Sequence, residues 1–327
     1  MKLGTLKSKS RDGELIVVSQ DNSKAVRATD VAPSLREAVE SWSESKPKLE
    51  AMYKELNAGN RSDSFAIEQS QLHSAFPRCF QWADGSAFLH HVKLVRMARK
   101  AEMPPSLFQT PLMYQGGSDD FLAPTEDIPQ IDFAHGTDFE AEVAVVLGDV
   151  PMGVTPENAL KHIVLFLIVN DVSLRGLIPE ELAAGFGFFQ SKPSSAFAPF
   201  AVTEEELGGA WKDGRIHLPL DVEYNSKFFG KANAGQMHFH FGQLIAHAAR
   251  TRNLKAGTII GSGTVANEDP TVGSSCLAEK RMIETINEGS PKTQFMKVGD
   301  TIKVEMRDSN GKNIFGTIFQ KVIQAKS

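Results

Sequence analysis

Glu140 and Glu142 stand one residue apart in the stretch FEAEVAVVLGD, Phe139 to Asp149. Strand side chains alternate between faces, so the two carboxylates project the same way, about 7 Å apart at Cα, while Phe139, Ala141 and Val143 project the other way. Like charges that close repel unless water screens them or a cation sits between them. Two readings follow: a solvated strand face, the commoner fate of a lone glutamate pair, or half of a site for a hard divalent cation with oxygen ligands. Asp171 bears on that choice. It closes the apolar run LFLIVND, where a carboxylate is rigidly held yet open to a ligand, although a cap on the turn before Ser173 would also explain it.

A third group lies in DGSAFLHH, where Asp84 and His91 are seven residues apart. A helix starting near Asp84 would place His91 two turns on, on the same face. Histidine is the side chain suited to proton transfer near neutral pH; an N-cap for Asp84 and a packed or surface role for His90 and His91 are the plainer alternatives. Basic groups are interleaved with this acidic set: Arg175 after Asp171, Lys192 in FFQSKPSS, and Arg96, Arg99 and Lys100 after His91. Beside a metal, such cations suit an anionic substrate with carboxylate or enolate oxygens; otherwise they are routine surface charge. Tyr114 sits in LMYQGG, between apolar residues and two glycines.

The elements that must hold these residues divide the chain unevenly. Short strands MKLGTLK, ELIVVSQ and KAVRAT open it, and residues 33–57 read as a helix started by Pro33 and Ser34 and ended near Gly59. Residues 1–75 are therefore expected to form a small β-rich unit with a helix, and 76–327 the larger domain. A turn-rich, aromatic segment over 76–135 follows, of the kind that carries sites. Beyond it strands dominate: DFEAEVAVVLG, HLPLDVEYNSK, TIIGSGT, RMIETI, TIKVEMRD and NIFGTIFQKVI, with FGQLIAHAARTRNL as an amphipathic helix, while IVLFLIVND fits a buried strand or helix. The class expected is α+β, dominated by β-structure.

Composition excludes several functions. The chain has 327 residues, 41% hydrophobic and 23% charged, with a net charge of −5, so no basic field invites nucleic acid. No apolar run approaches the ~18–20 residues of a membrane helix, and the N-terminus lacks a signal-peptide pattern. Cys79 and Cys276 are the only cysteines, without a CxxC spacing, which points to a reducing, cytoplasmic setting. Neither GxGxxG nor GxxxxGK[ST] is present, so dinucleotide and P-loop sites are not expected.

In combination these stretches resemble the fumarylacetoacetate hydrolase family, in its bacterial branch, most strongly over residues 80–300. FEAEVAVVLG looks like the family's ExE strand, LIVNDVSLR like its NDxSxRD stretch with Gly176 in place of the acidic residue, QSKPSSAFAPF like its GKSFDTxxPxGP loop, and IIGSGTVANED like its (S/T)GTxxG segment. The resemblance implies a small β-rich domain followed by a mixed β-roll or barrel hydrolase domain that pairs as a homodimer. It implies a divalent cation, Mg²⁺ first and Ca²⁺ or Mn²⁺ as alternatives, on Asp84, Glu140, Glu142 and Asp171. It implies a catalytic His91 paired with Glu284 on a strand RMIETINEG, Glu279 being the second choice. Lys192 and Arg175 would stabilise an oxyanion, and Tyr114, Thr264 and either Arg99 or Lys100 would grip substrate. MYQGG departs from the family's GYHGR pattern, which alters the pocket. The reaction implied is hydrolysis of the carbon–carbon bond of a small anionic β-diketo acid, fumarylacetoacetate foremost. Acylpyruvate hydrolysis, decarboxylation or hydration of a 2-oxo acid, and non-catalytic binding are the alternatives.

Overall fold

Two apolar runs, AEVAVVL and IVLFLIVN, form the central antiparallel pair, Ala141–Leu147 against Ile163–Asn170. Their β-branched residues suit a pleated surface buried on both faces. Val143, Val145 and Leu147 enter one apolar cluster, and Ala144 and Val146 enter another. The fold is that of a computed structural model, which describes residues 1–98 and 102–325, for 95, 96 and 98 the backbone alone. Arg99 and Lys100, and the side chain of Arg96, lie outside the described residues.

The pair sits inside an eleven-stranded sheet. In order it runs Phe65–Ala66, Lys24–Arg27, Glu14–Val18, Lys2–Leu6, Phe200–Val202, Ile163–Asn170, Ala141–Leu147, Ile259–Gly261, Trp82–Gly85 and Met113–Gly116, with Ala196–Phe197 beside Ile163–Asn170. The N-terminal strands thus continue the main sheet, since Lys2–Leu6 pairs antiparallel with Phe200–Val202. Leu3, Val17 and Leu49 share a core with Val146 and Leu165. A five-stranded sheet, Lys227–Asn233, Pro219–Tyr224, Thr301–Met306, Ile318–Gln324 and Ile128–Gln130, covers the opposite face, where Leu220, Val304 and Ile318 meet Val143 and Val145. The molecule is mixed α/β and β-dominated. Among the described residues no helix is long and apolar enough to cross a membrane.

Several local expectations change. The helix expected over 33–57 is two helices, Leu35–Glu40 and Trp42–Asn57, broken at Ser41 with φ −115° and ψ 39°; Ser34 Oγ accepts the Glu37 amide at 3.3 Å and caps the first. RMIETI is not a strand but part of the helix Leu277–Glu288. Its isoleucines and threonine mimic a strand, yet Cys276 caps the start, Gly289 at φ +85° closes the end, and Ala, Glu, Lys, Arg and Met favour the helix between them. Asp84 opens no helix either: it lies in the strand Trp82–Gly85, and the helix carrying His91 runs Leu89–Ala98.

Candidate metal centre and catalytic pair

Asp84 is aligned by the parallel pairing of Trp82–Gly85 with Ile259–Gly261. The chain then turns, with Ser86 N–H donating to Leu112 O and Ala87 N–H to Ser262 O, both at 2.9 Å. The Asp84–His91 spacing therefore spans strand, turn and helix rather than one helical face. Gly263 completes this corner at φ +77°. Its amide donates to Asp84 Oδ1 at 2.9 Å, and a Cβ there would come within 2.3 Å of Gly85 O, so only glycine fits. Thr264 follows directly and is buried.

Glu142 and Asp171 meet Asp84 in the interior. One carboxylate oxygen from each of the three lies within 4.8 Å of the others. Glu142 is 0% exposed, as is Asp171. Among the described residues neither oxygen of Glu142 has a hydrogen-bond partner outside the trio, which is costly for a buried carboxylate; only a proton shared with Asp84 relieves it. Asp171 is instead well supplied: Tyr114 donates its hydroxyl, Lys192 Nζ lies at 2.6 Å and Ser195 Oγ at 2.6 Å. Tyr114 faces Asp84 across the strand pair, with Lys192 Nζ 5.1 Å from its ring centre and Phe188 packed edge-on at 5.2 Å.

Glu140 belongs to the adjoining group. Its carboxylate pairs with Lys192, and its other oxygen with Arg175 Nη2 at 2.7 Å. It stands one ammonium away from the trio, because Lys192 bridges Glu140 and Asp171. Phe139, between Tyr224 and Phe229 at ring separations of 5.8 and 5.1 Å, fixes the strand so that both glutamates stay on the site side. Arg175 also donates Nε–H to Asp138 at 2.9 Å. It is therefore committed to two carboxylates rather than to a substrate oxygen, and the cavity lining includes Lys192 but not Arg175. A Cβ at Gly176 would fall 2.3 Å from Ala134 O, which explains why the acidic residue expected there is missing.

The charge balance is unequal. Asp84, Asp138, Glu140, Glu142 and Asp171 are all buried, and Lys192 and Arg175 are the cations paired among them. Burial, with Asp171 next in strength, pushes the Asp84 carboxyl up to about 8. Burial and the charges of Asp84 and Asp171 likewise hold the Glu142 carboxyl well above the usual range. For Glu140 burial is outweighed by Arg175 and Lys192, and its carboxyl is driven down. Burial and Asp171 keep the Tyr114 hydroxyl protonated. Asp84 and Glu142 thus retain protons that a cation would displace. Three converging carboxylates, one without a donor from outside the trio, fit a hard divalent ion. Asp84, Glu142 and Asp171 would hold it; Glu140, expected with them, is held by cations instead.

His91 is the proton-transfer candidate. Its Nδ1 lies 3.0 Å from Glu279 Oε2, and an atom of its ring approaches Glu140 and Cys276 within 4.8 Å. The expected partner Glu284 is elsewhere, accepting from Lys292 N, Thr293 N and Thr293 Oγ1. The helix explains the exchange: at 100° per residue, Glu279 and Glu284 point about 140° apart, so one can face His91 and the other cannot. Sequence reasoning passed over Ser195, Asp138 and Cys276. Asp138 directly precedes the FEAE stretch, and its acidity two positions from Glu140 was the available signal. A cavity of about 1010 Å³ opens beside Tyr114 and Lys192, walled by Phe186, Phe188, Phe189 and Arg252, large enough for a small organic acid.

Comparisons with known proteins agree with this architecture. The sequence model described as fumarylacetoacetate (FAA) hydrolase C-terminal matches residues 81–323, and that of fumarylacetoacetase N-terminal domain 2 matches 1–78. The oxaloacetate tautomerase YisK of Bacillus subtilis is 24% identical over 209 residues, 61% of this chain and 64% of that protein. Maleylpyruvate hydrolase of Aquipseudomonas alcaligenes is 28% identical over 152 residues, 46% of this chain and 49% of that protein. Among solved structures, maleylpyruvate hydrolase from Sphingobium sp. SYK-6 in complex with manganese(II) ion and pyruvate shares the fold at a TM-score of 0.66 and 16% identity, over 100% of both chains. With three-quarters of its length matched by the C-terminal model alone, the chain belongs to the fumarylacetoacetate hydrolase family.

Proposed function

We propose that this protein hydrolyses a carbon–carbon bond of a small anionic β-diketo acid, with fumarylacetoacetate the first substrate to test and acylpyruvates the second. The observation that carries the reading is the His91–Glu279 pair set against the three-carboxylate cluster. A divalent cation on Asp84, Glu142 and Asp171, Mg²⁺ first, would supply Lewis-acid polarisation and anchor the substrate's oxygens. Glu279 accepts Nδ1–H from His91 and so leaves Nε2 free as the base. Nε2 takes a proton from water, and the hydroxide equivalent adds to a carbonyl carbon. The bond between that carbon and its neighbour then breaks, its electron pair staying with the neighbour. His91 returns the proton to the neighbouring carbon that kept the pair, giving an acid from the attacked carbonyl and a methyl ketone from the neighbour. Lys192, at the cavity wall, stabilises negative charge developing on oxygen. Tyr114 lines the same wall, where its ring would lie against the substrate while its hydroxyl, kept protonated, holds Asp171.

The test is a panel of fumarylacetoacetate, acylpyruvates and oxaloacetate with purified protein and Mg²⁺. Loss of the diketo absorbance with fumarate and acetoacetate, or pyruvate and an acid, supports the reading, and His91→Ala should lower the rate about 10²–10⁴-fold. The likeness to an oxaloacetate tautomerase favours a second reading, keto–enol exchange of a 2-oxo acid. Turnover of oxaloacetate alone, unaffected by His91→Ala, would establish that one and overturn the first.

A further inference from the structure

Asp138 has no part in the chemistry above, yet its carboxylate is 0% exposed and receives three donors. Oδ1 accepts Leu277 N–H at 2.8 Å, and Oδ2 accepts Ala278 N–H at 2.9 Å beside the bond from Arg175. The next amide, Glu279 N–H, donates to Cys276 Sγ at 3.3 Å. The opening amides of a helix have no carbonyl partner within it; here each of these three is held, two of them by one carboxylate. That turn carries Glu279, whose side chain meets His91. Asp138 is two residues before Glu140, and Arg175 grips both. A backbone bridge between Glu140 and Cys276 closes the same corner.

We propose that Asp138 is a positioning residue: it docks the start of the Leu277–Glu288 helix onto the carboxylate strand and so sets the His91–Glu279 pair against the metal-holding residues. The proposal rests on the reading of that pair as the water-activating one. A carboxylate suits three donors at once. Asparagine offers a single oxygen and turns an NH₂ toward an amide or the guanidinium, so the helix start loses part of its hold. A shift of about 1 Å at a proton-transfer group is enough for a roughly 10²-fold loss of rate.

The experiment uses the full chain labelled with ¹⁵N-histidine. The Nδ1–H bonded to Glu279 is expected as a downfield imidazole resonance, identified by its loss in His91→Ala. In Asp138→Asn it should shift or broaden, kcat should fall about 10²-fold with KM unchanged, and calorimetry should show Mn²⁺ still binding. Glu284→Gln, at the far end of the same helix, should leave resonance and kcat alone. A folded Asp138→Asn protein with the wild-type resonance and kcat overturns the proposal, as does the absence of any such resonance from the wild type. If Asp138→Asn is insoluble, Asp138→Glu keeps the charge but lengthens the side chain, and an unmoved resonance there overturns it equally. If His91→Ala keeps full turnover while Asp138→Asn still displaces the resonance, the positioning role stands and the assignment of the catalytic pair falls.

Discussion

Glu140 and Glu142 share a strand face and are compensated in opposite ways. Glu140 receives Arg175 and Lys192, and its carboxyl is held far below the usual range. Glu142, one strand step further, receives no cation among the described residues and is held far above it. The flank around Glu140 is complete within the chain, where each buried charge meets an opposite one. The cluster of Asp84, Glu142 and Asp171 is completed only by protons or by an ion. Repulsion that folding alone leaves in place is the mark of a binding site, whereas the paired flank is the frame that keeps it in place.

The largest effect should come from breaking the frame. Lys192→Met leaves Glu140 and Asp171 buried beside each other without their shared ammonium, and removing one partner of a buried pair costs about 3–5 kcal/mol. Urea denaturation of the metal-free protein measures it. A loss below about 1 kcal/mol would mean that Lys192 is not the charge holding the two carboxylates together.

Removing a member of the unpaired cluster should act in the other direction. Glu142→Gln should weaken Mg²⁺ and Mn²⁺ binding at least about 10²-fold by calorimetry, while the metal-free variant melts at or above the wild-type temperature. The size of that advantage depends on pH. Asp84 rises from 3.8 to about 8 on folding, through burial first and Asp171 next, and Glu142 rises also. The folded chain therefore binds protons that the unfolded chain releases, so the stability from these groups is complete below the unfolded values and lost as pH climbs through the folded ones. The melting advantage of Glu142→Gln should be absent near pH 4 and widen toward pH 8. Saturating Mg²⁺ should raise the wild type alone at the upper end. A variant that binds Mg²⁺ as well as the wild type would remove Glu142 from the metal centre.

Much of this contrast was legible in the chain, and the failures share one cause. FEAEV and LFLIVND carried their carboxylates in local patterns of alternation and burial, so their faces could be read directly. Asp84 and His91 were found by spacing, although the helix invoked to join them is a strand, a turn and then a helix. Asp138, Cys276 and Ser195 act through partners 139, 136 and 24 residues away, Leu277, Glu140 and Asp171. Likewise the continuation of the main sheet into the N-terminal strands depends on Lys2–Leu6 meeting Phe200–Val202. Periodicity reports which face of an element is apolar; it does not report which distant element covers that face.

The smallest effect isolates that lesson on one helix. Glu279 and Glu284 look alike in AEKRMIETINEG, and only the helical turn separates them, about 140° of rotation. Glu284 accepts from Lys292 N at 2.7 Å, Thr293 N at 2.8 Å and Thr293 Oγ1 at 2.6 Å, tying down the loop after the helix. Glu284→Gln keeps one carbonyl acceptor for these three donors, so the expected cost is about 1–2 kcal/mol of stability, with the proposed hydrolysis unchanged. Glu279→Gln reverses the pattern. It removes the charge that holds His91 in one tautomer, so turnover should collapse while the melting temperature moves little. A Glu284→Gln protein that lost turnover while keeping its fold would return the catalytic role to Glu284 and would mean that the His91 partner changes when substrate binds.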